Sequence, residues 1–319
     1  MLYVIIPNYN GLEHLVTCYS SIESQSFREY KVILVDNGSN DASVKFTKEK
    51  YPDYYIILLD RNLGFAKAIN EGVRFAIGKA DCETILLLNN DIELHPEFMQ
   101  IAVNTLKQRS DTGFLAVKML NYYDRQLIDD CGDFIKGNGG SPLARGHGER
   151  DNGQYDREEY IFGACAGAAF YRKETFEKVG LFDESFFAYY EDIDFSFRAQ
   201  MLGYRCYYQP KSVCYHKRGG TISVATEGFQ TELCERNLVL LRIKNYPLVL
   251  YFSYQPFFAA ARLKRYFSFL IHNSFPVFLK AIKGHIRGLC LLLFQLRKRT
   301  HIQNTKVISN KEIAKLFIK

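Results

Sequence analysis

The 319-residue sequence predicts an α/β fold: a mostly parallel, Rossmann-like sheet flanked by helices, with a C-terminal extension of amphipathic helices. Three observations carry this. Over the first 120 residues, short runs of continuous apolar residues alternate with segments of helical period, the pattern of strands covered on both faces. Each run ends in a polar cluster: PNYNG, DNGSND, DRNLG and NND. Beyond Asn245 the composition shifts to apolar runs separated by RLKR, KAIKGHIR and RKR.

LYVIIP (2–7) reads as a strand and 12–26 as a helix. KVILVD (31–36) is a strand, and the next helix starts near Asp41. YYIILLD (54–60) is a strand, and FAKAINEGVRFAIG (65–78) is an amphipathic helix. ETILLLNND is a strand, and a helix follows over 96–109 with Pro96 in its first turn. GFLAVKML (113–120) is a further strand. Residues 121–160, with KGNGGSPLARGHGERDNG, read as a long mobile loop because glycine and charge are dense there. The fold resumes with a strand in YIFGACAGAAFYR (160–172). Ile193, Phe197 and Met201 fall at i, i+4 and i+8, so a helix starts near Glu191. YRCYYQP and SVCYHK are two short strands, and a helix over 228–245 closes the body. This gives a body of 1–245 and a tail of 246–319, with a short helix expected at 310–318.

Formal charge divides the same way. From Arg236 onward there are 16 Lys or Arg and one acidic residue, Glu312, a net +15, against −9 for the first 235 residues. A basic tail of this kind points to a polyanion, nucleic acid or an anionic membrane. Its basic residues are interleaved with Phe, Leu and Ile runs, which suits a lipid interface better than a phosphate-tracking groove. The longest uncharged run, Asn245 to Ala261, carries two prolines and falls short of the roughly 20 apolar residues that a span needs. The tail is therefore expected to lie on a bilayer, the alternative being a helical subdomain packed on the body. The eight cysteines form no Cys-x-x-Cys pair and no zinc spacing, and no secretory signal opens the chain, so reduced thiols in a cytosolic protein are expected.

Ligands of open α/β sheets bind beyond the carboxyl ends of the strands, so the four polar clusters predict one site. Asp36 can accept from a pyrimidine ring N–H or a ribose hydroxyl. Asn89-Asn90-Asp91 can deliver Asp91 to Mg2+ or Mn2+ bridging the two phosphates of a nucleoside-diphosphate sugar, with Asn89 or Asn90 on ribose or water. An Asx-turn with a helix cap is the structural alternative. One carboxylate of Glu191-Asp192 suits a general base, though both also suit a helix start, and Asp194 is a capping or core-edge alternative. His216 can complete a metal shell, Lys217 and Arg218 can meet phosphate, and Gly219 and Gly220 suit a closing loop.

In order and spacing, VIIPNYNG, ILVDNGSND, NLGFAKAINEG, LLLNNDIEL, GACAGAAFYRKETFEKVGLFDESFFAYYEDIDFSFRAQMLGY and the later YH resemble the family 2 glycosyltransferases of GT-A fold. GLFDESFFAYYEDIDFSFR resembles the bacterial rhamnosyltransferase-like branch. The resemblance covers about the first 220 residues. It implies inverting transfer from a nucleotide-diphosphate sugar, dTDP-rhamnose or a UDP-hexose, to a hydroxyl of a cell-surface glycan or lipid-linked acceptor. Pro7, Tyr9, Asn10 and Asp36 would line the nucleoside pocket, with Asn62, Gly64 and Asn70 near the nucleotide sugar. Asp91 and His216 would hold Mg2+ or Mn2+, Asp192 would be the base, and Glu191 would meet the acceptor. Asn89 stands where the family's Asp-x-Asp motif has its first carboxylate. The implied location is the cytoplasmic face of the membrane, held peripherally by the tail, with no nucleic-acid partner. Two rivals are a sugar-phosphate nucleotidyltransferase and a non-catalytic nucleotide-sugar-binding protein. Against the first, PNYNGLEH has one glycine and no Lys or Arg where a phosphate loop belongs.

Overall fold

A computed structural model of the chain describes residues 1–137, 141–218, 227–273 and 275–318. Strands β1 (Leu2–Asn8), β2 (Tyr30–Asp36), β3 (Tyr55–Leu58) and β4 (Thr84–Leu88) are parallel neighbours in the order β4-β1-β2-β3. Alternate residues explain why these runs are apolar throughout. Tyr3, Ile5, Ile33, Val35, Ile85 and Leu87 face one core layer, under α3 (Phe65–Ile77). Leu2, Val4, Ile6, Leu34, Leu86 and Leu88 face the other, under α1 (Leu12–Glu23) and α4 (Phe98–Gln108). Helix α2 (Ser43–Lys50) links β2 to β3.

The sheet continues as β10-β12-β6-β11-β4. Here β11 (Ala168–Arg172) is antiparallel to both β4 and β6 (Thr112–Asn121). The expected strand over 160–172 is thus two, β10 (Glu159–Ile161) and β11, each pairing with different partners. The two short strands expected near 204–217 are one, β12 (Arg205–His216), parallel to β6 with a register shift between Gln209 and Val213 that absorbs Pro210. Short β5 (Ile92–Leu94) pairs antiparallel with β12 so that His216 lies opposite Ile92, one residue after Asp91.

The expectation of a mobile loop over 121–160 is wrong for the described residues. They contain β7 (Ile128–Asp130) against β6, then β8 (Asp133–Lys136) and β9 (Pro142–Ala144). Gly132, Gly146, Gly148 and Gly153 have φ of +76 to +95°, so the glycines serve tight turns rather than mobility. Helix α5 (Lys173–Val179) and α6 (Glu191–Met201) complete the body. Gly219 and Gly220, expected in a closing loop, lie outside the described residues.

Helices α7 (Glu227–Asn245), α8 (Leu248–Ser253), α9 (Gln255–Ser268), α10 (Phe275–Cys290), α11 (Leu292–Thr305) and α12 (Asn310–Lys315) follow, then β13 (Phe317–Ile318), which pairs with β8. Helix α10 crosses α7 closely. A Cβ on Gly284 would lie 2.1 Å from the Glu232 carbonyl oxygen, and one on Gly288 2.8 Å from Val239 Cβ. Leu241, Tyr246, Phe258, Ile302 and Phe317 join Phe186, Ile193 and Phe197 in a third core cluster. A buried charge network ties the same elements: Lys244 contacts Asp183 at 2.6 Å and Asp194 at 2.8 Å, Arg198 contacts Asp194, and Lys298 contacts Asp183. The opposite side of the extension exposes Val249, Phe252, Leu263, Phe267, Phe275 and Leu293. Among the described residues no helix is long and apolar enough to cross a membrane.

Candidate active site

The loops after β1 and β2 are laced by short polar side chains. Asn8 donates to Asp36 Oδ1 (3.1 Å) and Ser39 Oγ, and Asn90 donates to Asn8 Oδ1 (2.8 Å). Ser39 N–H donates to Asp36 Oδ2, and Asn10 Oδ1 accepts from Asn40 N–H. Asn10 takes φ of +50°, a region asparagine tolerates. Pro7 and Tyr9, both half-buried, share this edge with Asn10 and Asp36. Asn62 Oδ1 accepts from Asn37 and from Gly64 N–H. Gly64 is confined by contact as well as by its φ of +91°, since a Cβ there would meet Phe187 at 2.6 Å. Asn70 does not face this edge: it is buried, and its amide holds Phe182 N–H, the Phe182 carbonyl and Glu184. In this structure Asn70 positions the segment before α6.

Asn89 Oδ1 and Asp91 Oδ1 are buried, and no described residue hydrogen-bonds to them. His216 Nε2 stands 3.4 Å from Asp91 Oδ1, and its Nδ1 is 2.7 Å from Asp129 Oδ2. Burial disfavours the His216 cation, but Asp129 and Asp91 outweigh it and raise the imidazole to about 9. Burial likewise opposes ionisation of Asp91 and Asp129, yet His216, with Arg218 at Asp129, holds both below the usual carboxylate range. Arg218 is thereby committed to Asp129 rather than to phosphate. Lys217 bonds the Thr17 hydroxyl at 2.8 Å and, among the described residues, has no carboxylate partner. The sequence reading missed Asp129. Its signal was three aspartates set between apolar pairs in LIDDCGDFI, obscured by the neighbouring glycines.

Asp91 Oδ1 with the His216 imidazole nitrogen 3.4 Å away, and a buried Asn89 amide oxygen two residues earlier in the chain, are donor types that fit a divalent cation such as Mg2+ or Mn2+. Asp129 on the far ring nitrogen is the outer-shell carboxylate that such a ligand needs to fix its tautomer. No three His, Cys, Asp or Glu side chains are spaced to hold a metal by themselves among the described residues, so a cation there would need further oxygens from a bound ligand or water. His216 must also give up its proton to serve as a ligand.

The turn 165–167 joins this edge to α6. Asn89 N–H donates to the Gly167 carbonyl at 2.7 Å, and Ala166 N–H donates to Asp192 Oδ2 at 3.2 Å. Asp91, His216 and Asp192 thus share one neighbourhood, with Asp130 and Asp133 behind them. Burial raises Asp192 above the usual carboxylate range, opposed by the Ala166 and Ile193 amides. Burial and then Asp192 raise Glu191. Burial pushes Asp130 up to about 7, the charge of Asp129 adding to it.

The chain enters α6 through a strained turn. Phe187, Tyr189 and Tyr190 all have φ of +66 to +69°, a region costly for bulky residues. The turn is pinned from α7: the Asn237 amide lies 3.0, 2.8 and 2.7 Å from the carbonyls of Phe186, Ala188 and Tyr189, and Arg236 donates to the carbonyls of Ser185 and Phe186. Asn237 is fully buried. No local sequence signal marks it. Asp194 is also buried, held by Arg198, Lys244 and Asn245, and serves the core.

A mostly parallel sheet whose polar edge gathers Asp91 and His216 and reaches Asp192 through the 165–167 turn has the architecture of the GT-A fold. The family model Glycosyl transferase family 2 matches residues 3–180, more than half of the chain, and the chain belongs to that family. The low-salt glycan biosynthesis hexosyltransferase Agl10 of Haloferax volcanii is 26% identical over 202 residues, 62% of this chain and 61% of that protein. The amylovoran biosynthesis glycosyltransferase AmsB of Erwinia amylovora is 28% identical over 215 residues, 63% and 64%. The N-acetylglucosaminyl-diphospho-decaprenol L-rhamnosyltransferase of Mycobacterium tuberculosis is 23% identical over 244 residues, 69% and 78%. The matched region thus spans less than two thirds of the first two relatives. S. aureus TarS shares the fold with a TM-score of 0.59 at 16% identity, over 94% of this chain and 53% of that one. The mannosyltransferase PcManGT from Pyrobaculum calidifontis, solved with GDP-Man and Mn2+, gives 0.53 at 17%, over 95% and 85%.

Proposed function

We propose that this chain moves a sugar from a nucleotide-diphosphate sugar to a hydroxyl of a glycan or lipid-linked acceptor by a single inverting displacement. The observation that carries this reading is the 165–167 turn, which braces Asp192 on one side and Asn89 on the other. A base and a diphosphate site then flank the gap in which an anomeric carbon would sit. The acceptor oxygen attacks that carbon from the face opposite the diphosphate as Asp192 takes its proton, and the bond to the diphosphate oxygen breaks with its electron pair. Lys217 faces the departing charge. Asp91 and His216, with Asn89, would hold Mg2+ or Mn2+, which supplies neutralisation of the diphosphate charge. The nucleoside pocket is assigned to Pro7, Tyr9, Asn10 and Asp36, with Asn62 and Gly64 next to it. The rhamnosyltransferase relative supports dTDP-rhamnose as the donor, with UDP-hexoses as the alternative.

The reading extends to location: the chain sits peripherally on the cytoplasmic face of a membrane, where a lipid-linked acceptor is presented. The apolar residues exposed on α8 to α11, flanked by Arg262, Lys264, Lys280, Lys283 and Arg287 with no acidic residue between Arg236 and Lys311, suit an anionic bilayer. A panel of nucleotide sugars with Mg2+ or Mn2+ tests the reaction by thermal shift and by release of nucleoside diphosphate. Donor-dependent stabilisation with metal-dependent release is expected, and neither with any donor would defeat the proposal. Sedimentation with phosphatidylglycerol vesicles, lost in phosphatidylcholine or high salt, tests the location.

A further inference from the structure

Buried donors without acceptors gather at one place away from the strand ends. Arg242 on α7 is 3% exposed, and among the described residues nothing accepts from its Nε or Nη2. One face of its guanidinium covers the Phe258 ring, 4.0 Å from the centroid. The Arg262 Nε and Tyr266 hydroxyl of α9, the His285 Nδ1 of α10 and the Tyr246 hydroxyl are buried and unpartnered as well. These groups share one electrostatic neighbourhood. Burial lowers Arg242 to about 10, and Arg265 and Arg262 add to this against Tyr246. Burial also lowers His285, with Arg262, Arg242 and Arg265 acting alongside and Glu235 against. Glu235 is committed to Arg265 at 2.7 Å. Two guanidiniums with unmet N–H groups, those of Arg242 and Arg262, are therefore left without a carboxylate among the described residues. Buried polar groups are nearly always satisfied, so unmet donors of one sign mark a place for an anion, and the planar guanidinium fork matches phosphate.

The surroundings select the anion. Tyr190, which directly precedes Glu191, lies in the field of Arg265 and Arg242. Cys234 feels Arg265 and Glu191 together. On its outer side α9 exposes Phe257, Leu263 and Phe267. The cluster stands between the catalytic turn and the apolar surface. We propose that Arg242 and Arg262, with the Tyr246 and Tyr266 hydroxyls, bind the diphosphate of a lipid-linked sugar-diphosphate acceptor. Arg262 is half-buried and forms the entry; Arg242 lies deeper. The inference rests on the lipid-linked acceptor of the proposed function. An anionic phospholipid headgroup offers the same phosphate chemistry, so the test separates the two.

The full chain is titrated with inorganic pyrophosphate by calorimetry, without divalent cation and with nucleoside diphosphate filling the donor site. Binding that Arg262→Ala weakens about tenfold is expected. In transfer assays Arg262→Ala should raise KM for a sugar-diphosphate-lipid acceptor about tenfold more than for an alkyl glycoside of the same sugar, whereas Lys48→Ala, exposed on α2 and outside the proposed membrane patch, should leave that ratio near one. Arg242→Gln is the deeper probe, and Arg262→Ala keeps the test intact should that variant misfold. No pyrophosphate binding, or an unchanged KM ratio while phosphatidylglycerol vesicle binding falls equally in Arg262→Ala and Lys264→Ala, overturns the site. Arg262-dependent pyrophosphate binding without transfer to either acceptor leaves the site standing and defeats the transferase reading instead.

Discussion

The two halves of the polar edge are built differently. Around β1 to β3, Asn8, Asn10, Asn37, Ser39 and Asn62 satisfy one another and the backbone, and the loops lie pre-shaped. Around β7, β12 and α6, acidic groups are crowded and buried, oxygens of Asn89, Asp91, Asp133 and Glu191 have no hydrogen-bond donor among the described residues, and three bulky residues sit in left-handed backbone. The first half is complete without a ligand. The second is held in a costly state by α7, and under the proposed function it is the half that a cation, diphosphate and acceptor would complete. The contrast teaches that loops laced by short polar side chains are shaped by local contacts, whereas a strained turn carrying a buried carboxylate, the proposed base, takes support from distant elements.

Breaking the strained half should have the largest effects. Asp192→Asn is expected to cut turnover roughly 100-fold or more with donor binding nearly intact, read by steady-state rates beside a donor titration. Asn237→Asp keeps the shape but turns a donor toward three carbonyls into an acceptor. We expect kcat to fall about 10- to 100-fold with donor KM little changed. A loss that merely follows melting temperature would make Asn237 structural only. On the donor side Asn8→Ala should act in the opposite sense, weakening donor binding with kcat less affected and costing about 1–3 kcal/mol of stability through the groups it strands, measured by denaturant unfolding. Smaller effects concern protons. As the proposed base Asp192 has to be ionised, and burial raises it, so activity should be lost on acidification at a pH above the ordinary carboxylate range. In this pair it is Asp192 that raises Glu191, so Glu191 stays protonated while Asp192 titrates and Glu191→Gln should leave that acid limb nearly unmoved, seen in pH profiles of kcat/KM. Asp183 shows the remaining dependence. Burial opposes its charge, but Lys244 and Lys298 hold it below its unfolded value. Its contribution to stability is therefore full above the usual carboxylate pKa and fades as pH falls toward the folded value, visible as acid-induced loosening of α11.

Much of the donor side was readable in the chain. PNYNG, DNGSND and NND stand at strand ends because a parallel sheet turns each carboxyl end toward one edge, so Asp36, Asn62 and Asp91 could be grouped without coordinates. Asn70 shows the limit: its helix was right, but one turn of α3 decides whether an amide faces the edge or the 182–184 segment. The region 121–160 shows another. Glycine density there signalled tight turns between short strands, which composition alone does not distinguish from a mobile loop.

The sequence by itself determined the alternation of strands and helices, the polar edge, Asp91, His216 and Asp192 as candidates, and the basic, apolar tail. Each of these is written within a window of a few residues, where period and residue type act directly on the backbone. Tertiary structure decided the partners: Asp129 on His216 across 87 residues, Asn237 on the turn before Asp192, and Arg242 among unmet donors. Such pairings depend on strand register and helix crossing, which emerge only when distant surfaces exclude water together, and no local pattern encodes them.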